Sequence, residues 1–305
     1  MEWGAHLPQL GRTVDPGTIR TFAQTAERLG CHSVWASDHV AWPAAIASKY
    51  PYSDDGAFAP APDMAWLDAL GTLTFVAACT EKVRLGTSVL ILPYRQPVQT
   101  AKQIASLDVL SEGRTILGVG VGWMAEEAAI LQMPWDKRGA RSDEQLEVFR
   151  RLFEEPTPAF EGQFYGFQAV GFEPKPVQKP LPIWVGGSTA AAFRRAAWYG
   201  QGFHAAFQPL YEVEAGWAAV RQAAEGIRRD PAELTLSLRV YLDPAQAMPK
   251  DHAIGGGRDE MLETIAGLKA IGVKHVLLDP VARGGAEARL AAIEAFMTEV
   301  APAVD

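Results

Sequence analysis

The sequence predicts an α/β chain folded as a TIM-like (β/α)8 barrel with insertion loops, on three observations. Eight short apolar or β-branched runs recur from end to end of the chain, and amphipathic helical patterns lie between them. The runs are apolar nearly throughout, as strands of a parallel sheet covered on both faces must be. A length of 305 residues suits one closed barrel with insertions. Periodicity alone also admits an open doubly wound sheet.

The elements follow in order. A strand over 2–7 precedes a helix over 16–30, where Ile19, Phe22, Ala23, Ala26 and Leu29 share one face and Gly30 supplies the stop. The second strand, 32–36, leads into an irregular stretch over 40–62 rich in Pro, Ala, Tyr and Asp, then a helix over 63–80. Strands over 83–90 and 114–119 are followed by helices over 97–111 and 140–153. An aromatic, Pro-rich insertion at 155–182 precedes the fifth strand, 181–185, and its helix, 189–200. The remaining strands are 202–207, 234–242 and 273–278, with helices over 210–229, 258–271 and 286–300 and a Gly-rich stretch at 244–257. Residues 1–305 therefore read as one domain. Loops of this length in a compact fold serve as lids or binding walls, and the one at 40–62 follows a strand directly, which places it on the catalytic face of a barrel.

Bulk properties exclude several functions. A net charge of -8 argues against nucleic-acid or membrane-surface partners, both of which require a basic face. Two cysteines, Cys31 and Cys79, lie far apart without CxxC spacing, so neither a disulfide scaffold nor a Cys-rich metal site is expected. No His, Asp or Glu cluster has metal-ligand spacing, and no metal is predicted. No apolar run reaches the ~20 residues of a membrane span, and no secretory signal is visible at Met1–Ala5, so a cytoplasmic protein is expected.

Chemistry concentrates where strands end. Gly118, Gly120 and Gly122 follow the fourth strand; small residues there either let backbone N–H groups approach an anion or merely allow close strand–helix packing. The further glycine of a dinucleotide fingerprint is missing, since Trp123, Met124 and Ala125 follow. Gly186-Gly187-Ser188-Thr189 closes the fifth strand, where Ser188 or Thr189 can cap the next helix and free N–H groups can bind phosphate. Asp38 and His39 end the second strand. His39 is a candidate acid or base, and Asp38 either orients it or turns away to cap backbone N–H groups. His6 points to the same rim; His204 is expected inside the barrel, and His32, His252 and His275 have no spacing of interest. Small residues Gly86 to Ser88 in an apolar strand allow a planar body to approach, or fill an interior layer.

Several ordered stretches resemble the luciferase-like monooxygenase superfamily. They are Ser33 to His39, Gly86-Thr87-Ser88-Val89, Ala105 to Arg114, Leu117 to Gly120, Arg138 to Arg141, and Pro174 to Gly187. The similarity runs from the first residues to about 207 and more loosely beyond. It implies a barrel with an extended loop near the fifth strand and a cofactor across the C-terminal face. The branch using the deazaflavin F420 is nearer than the branch using reduced FMN. The resemblance further implies a cis bond between Ser88 and Val89 supporting the ring, and phosphate-binding backbone at Val121, Gly122, Gly186, Gly187 and Ser188. It places Asp38 beside the ring and makes His39 a proton donor or acceptor.

Members that oxidise sugar phosphates carry Glu directly after the glycine run, where this chain has Trp123, which argues against such substrates. Trp42 and Trp123, with Trp3 and Trp66, would suit a flatter organic small molecule, or are structural. Arg95, Lys102 and Arg141 are available cations for an acidic cofactor tail. The implied activity is hydride transfer between F420 and a small organic substrate. The alternatives are an FMN-dependent monooxygenase and a non-catalytic cofactor-binding subunit. A homodimer is expected from apolar helices such as 99–110 and from the dimers of the family.

Overall fold

The computed structural model describes residues 1–12, 14–53, 55–58 and 60–304. Eight parallel strands form the barrel: β1 (Glu2–His6), β2 (Ser33–Ala36), β3 (Arg84–Thr87), β4 (Thr115–Gly120), β5 (Ile183–Gly186), β6 (Gly202–Ala206), β7 (Thr235–Asp243) and β8 (Val273–Pro280). Each pairs with its sequence neighbours; β8 returns to β1 with Glu2 opposite His275, so the sheet has no open edge among these strands. Closure decides between the two architectures that periodicity left open.

Helices α1 (Pro16–Arg28), α2 (Ala69–Ala77), α3 (Pro97–Leu110), α4 (Ala125–Ile130), α5 (Arg138–Glu154), α6 (Ala190–Tyr199), α7 (Leu210–Gly226), α8 (Arg258–Ala270) and α9 (Gly285–Ala295) surround it. The first illustrates how residues set an element. Asp15 accepts the Thr18 N–H at 3.0 Å as N-cap, Pro16 opens the helix, and Ile19, Phe22, Ala23 and Ala26 are buried against the sheet. α2 starts later than the expected 63, because Ala65–Trp66 pairs with Leu10–Gly11 and Asp68 then caps through the Gly71 N–H at 2.7 Å. Helical character beyond Ala295 continues as a π-helix, Phe296–Val300.

The insertions divide between the poles. From the stretch after β2, Tyr50, Pro51, Tyr52 and Phe58 line a cavity at the C-terminal face. Nothing in 155–182 lines that cavity; Lys175 and Gln178 to Leu181 line a different one, beside α5. Its short hairpin, Phe160–Glu161 with Gly166–Phe167, is tied to α5 by Glu144, and Gln178 bonds Asp108 and the carbonyl of Thr115 at the start of β4. Satisfying these polar groups anchors the segment along α5 and the N-terminal pole.

Inside the barrel the packing is mixed. Trp35, Ile116, Trp184 and Leu277 form a small apolar cluster, Trp35 and Trp184 stacked at 5.4 Å. Trp35 fills the space Gly86 leaves, since a Cβ at 86 would lie 2.3 Å from the indole. Gly86 is therefore a packing glycine, one of the two readings its position allowed. Beside this cluster runs a column of buried hydroxyl and imidazole groups: Ser33, His275, Ser237 and His204.

Candidate active site

A cavity of about 390 Å³ opens at the C-terminal ends of the strands, within the usual size for a small-molecule site. Asp38, His39, Ser88, Val89, Val121, Gly122, Trp123, Gly186, Gly187 and Ser188 all line it, brought together from β2, β3, β4 and β5. Trp42 does not line it. It stands one ring back, 5.2 Å from the His39 imidazole and 5.3 Å from Trp66. Trp3 is remote from this wall, packed edge-on against Phe296 at 4.8 Å in the outer core.

The floor is the Ser88–Val89 segment, whose peptide bond is cis. Its Ser88 carbonyl accepts from Ser37 Oγ at 3.0 Å and Arg239 Nη1 at 2.9 Å. Val89 points between β4 and β5, where a Cβ on Gly120 would lie 2.6 Å from its Cγ2. Glycine at 120 thus lets the floor sit close against the sheet. Arg239 is itself fixed by Asp279, at 2.5 Å from Nη2, and lies over the Phe207 ring. Burial pushes the Asp279 carboxyl upward, but Arg239, His6 and Arg289 outweigh it and hold the group well below the usual carboxylate range.

His39 and Asp38 have different partners. His39 Nδ1 meets Glu127 Oε2 at 2.6 Å, while Glu127 Oε1 accepts the Val40 and Ala41 N–H groups at 2.6 and 3.1 Å. Glu127 is completely buried on α4. A carboxylate only accepts, so Nδ1 carries a proton and Nε2 remains for the cavity. Asp38 takes the capping alternative. It accepts from the Ile91 N–H at 2.9 Å and from Arg95 Nη2 at 2.5 Å. Trp42, Phe58, Trp66 and Trp123 surround the imidazole with ring centroids 4.9–6.1 Å away.

The opposite end of the cavity is polar and cationic. Thr189 caps α6 through the Ala192 N–H at 3.2 Å, leaving the Ser188 side chain outside that bond. Arg195 reaches the cavity while bound to Asp143 at 2.5 Å. Arg138 also lines it, stacked 3.9 Å over Trp135, and makes no ion pair among the described residues; its Nε is buried without a partner. These cations replace the ones expected from sequence. Arg95 is committed to Asp38 and Asp68, Lys102 to the Glu173 carbonyl, and Arg141 lies over Phe164. None of those three lines the cavity. Among the described residues no His, Cys, Asp or Glu group is arranged to hold a metal ion.

The family model described as luciferase-like monooxygenase matches residues 4–297. The chain belongs to this family. Among its relatives is an uncharacterised protein of Mycobacterium bovis, 37% identical over 175 residues, which cover 57% of this chain. The match spans 60% of the relative's own length. An F420-dependent glucose-6-phosphate dehydrogenase of Kineococcus radiotolerans is 32% identical over 243 residues, covering 76% of this chain and 67% of the relative. In three dimensions the chain is similar to an F420-dependent secondary alcohol dehydrogenase in complex with an F420–acetone adduct, with a TM-score of 0.81. At 18% identity over 100% of this chain and 99% of the other, that likeness speaks to fold alone.

Three groups at the cavity were missed from sequence: Glu127, bonded to His39, Arg138 as a cavity cation, and Arg239. Glu127 sits in a plain acidic pair, Glu126-Glu127, and only its burial sets it apart. Arg138 did open a recognised stretch, but its direction depends on the preceding turn, where Lys137 is left-handed at φ 61.

Proposed function

We propose that this chain is a single-domain cytoplasmic oxidoreductase, working as a homodimer, that binds F420 in preference to FMN and passes a hydride between it and a small organic molecule. The observation that carries the reading is one cavity with its floor at the cis-bonded Ser88–Val89, a cationic end at Arg138 and Arg195, and a buried His39–Glu127 pair at its aromatic end. The residues fit the cofactor: a phosphate suits the unpaired Arg138 and the Gly186-Gly187-Ser188 turn, and a planar ring suits the floor beside Val121 and Gly122. F420 supplies a hydride-carrying carbon where FMN has a nitrogen, and without that nitrogen the reduced ring resists oxygen.

The protein's own contributions are binding, orientation and proton handling. Glu127 presents His39 Nε2 to the cavity as an acceptor and stabilises the imidazolium once a proton arrives. Asp38 holds Arg95 and the Ile91 N–H, and so fixes the strand end that carries His39. Tyr50, Phe58, Trp66 and Trp123 exclude water around the imidazole and offer rings to an apolar substrate. The F420-dependent relative at 32% identity supports the choice of F420. Titration of the purified protein with F420 and with FMN, followed by fluorescence, tests it. Micromolar FMN binding without F420 binding overturns the cofactor choice, and binding with no reduction by any donor leaves a carrier rather than an enzyme.

A further inference from the structure

The buried polar column ends on the cavity floor, and its hydrogen-bond direction can be read from its far end. Trp35 Nε1 donates to Ser33 Oγ at 2.8 Å, and an indole nitrogen can only donate. Ser33 is completely buried, and among the described residues its only other side-chain partner is His275 Nε2, at 2.8 Å. If Nε2 carried the proton, the Ser33 hydroxyl would be left without an acceptor in the barrel interior, which costs its full desolvation. Ser33 therefore donates to His275 Nε2.

The rest follows bond by bond. A neutral imidazole has one donor and one acceptor, so His275 Nδ1 donates to Ser237 Oγ at 2.8 Å. Ser237 in turn donates to His204 Nδ1 at 2.8 Å, and His204 Nε2 donates to Ser88 Oγ at 2.9 Å. Both imidazoles are held neutral, chiefly by burial: His204 is pushed down to about 3, with Arg239 adding to the effect, and His275 lies well below the ordinary value. Ser88 Oγ also faces Arg239 Nη1, at 3.4 Å, which is a donor too. Nothing described offers the Ser88 hydroxyl an acceptor, and Ser88 lines the cavity.

We infer that the Ser88 hydroxyl is a one-way hydrogen-bond donor into the cavity, its direction set from Trp35 through the buried column, and that the bound ring presents an acceptor there, a ring carbonyl oxygen or an unprotonated ring nitrogen. Ser88 is the contact; Ser33, His275, Ser237 and His204 are positioning residues. The identity of the ring rests on the functional reading above, whereas the direction of the hydroxyl does not.

The test has two parts. In ¹⁵N-labelled ligand-free protein, the imidazole nitrogen signals report each tautomer directly. Protonation of His275 at Nδ1 and of His204 at Nε2 is expected; His204 protonated at Nδ1, or charged at neutral pH, overturns the inference. In the second part F420 is titrated into Ser88→Ala, Ser237→Ala and the double variant. Each single change should weaken binding about 2- to 10-fold, as loss of one hydrogen bond does. The double variant should be no worse than Ser88→Ala alone, because both act through one bond. Wild-type affinity in Ser237→Ala, with Ser88→Ala weakened, would show that the column does not set the direction. Should neither F420 nor FMN bind the wild type, the functional reading falls while the tautomers still decide the column.

Discussion

Replacing Glu127 by Gln keeps the volume of the side chain but reverses what His39 meets. The amide oxygen can still accept from Val40 and Ala41, so the turn is preserved. The amide nitrogen then faces His39 Nδ1 and donates to it, which moves the imidazole proton to Nε2 and removes the acceptor from the cavity. A hydrogen bond to an ionised group contributes about 1.5–3 kcal/mol. The present contact is 2.6 Å long, with side-chain exposures of 8% and 0%, so little solvent screening reduces that figure. A loss of this size on the proton-transfer step is about 10- to 150-fold in rate. Turnover of Glu127→Gln should therefore fall about 10- to 150-fold, with cofactor Kd within about twofold of wild type, since Glu127 does not line the cavity. Steady-state turnover beside a fluorescence titration separates the two quantities, and ¹⁵N signals of His39 report the tautomer. Wild-type turnover with the proton still on Nδ1 would refute the assigned role of Glu127.

Three further outcomes are expected. Arg138→Ala should weaken cofactor binding about 10- to 100-fold, the worth of a charged hydrogen bond to phosphate, with little change in Tm because Arg138 makes no ion pair among the described residues; equal affinity by titration counts against the phosphate site. His204 and His275 take up protons near 6.5 when unfolded but resist them when folded, so the unfolded chain binds more protons as acidity rises. The contribution of His204 is then fully present above about pH 6.5 and lost as pH falls toward 3, at about 1.4 kcal/mol per pH unit, and His275 adds a loss in the same direction; a urea midpoint flat between pH 7 and 5 would contradict this. Gly86→Ala sets a methyl carbon 2.3 Å from the Trp35 ring, and the overpacking should cost roughly 1–3 kcal/mol in urea unfolding.

What the sequence made legible was set by local chemistry. Strand and helix positions were readable because each run satisfies its own period, and α1 could be delimited from Pro16 to the stop at Gly30 without any tertiary information. The glycine-bearing strand ends and the Asp38-His39 pair were visible for the same reason, and the fold brings them to one rim. Side-chain partnerships were not. That Asp38 turns to Arg95 while Glu127 takes His39 depends on α4 folding back 88 positions along the chain. His275 looked ordinary because its partners, Ser33 and Ser237, lie on other strands and meet only when the barrel closes. Arg95, Lys102 and Arg141 were plausible cations until their own carboxylate, carbonyl and ring partners were known.

The covering of the rim has a consequence for how the activity can diversify. Tyr50, Pro51, Tyr52 and Phe58 belong to one uninterrupted surface stretch, whereas the floor and cationic end are assembled from strands and helices distant in sequence. Such a stretch can be exchanged as a block on a rigid scaffold. Grafting residues 40–62 from one relative onto another would thus remodel the aromatic end of the cavity while leaving its floor and cationic end in place.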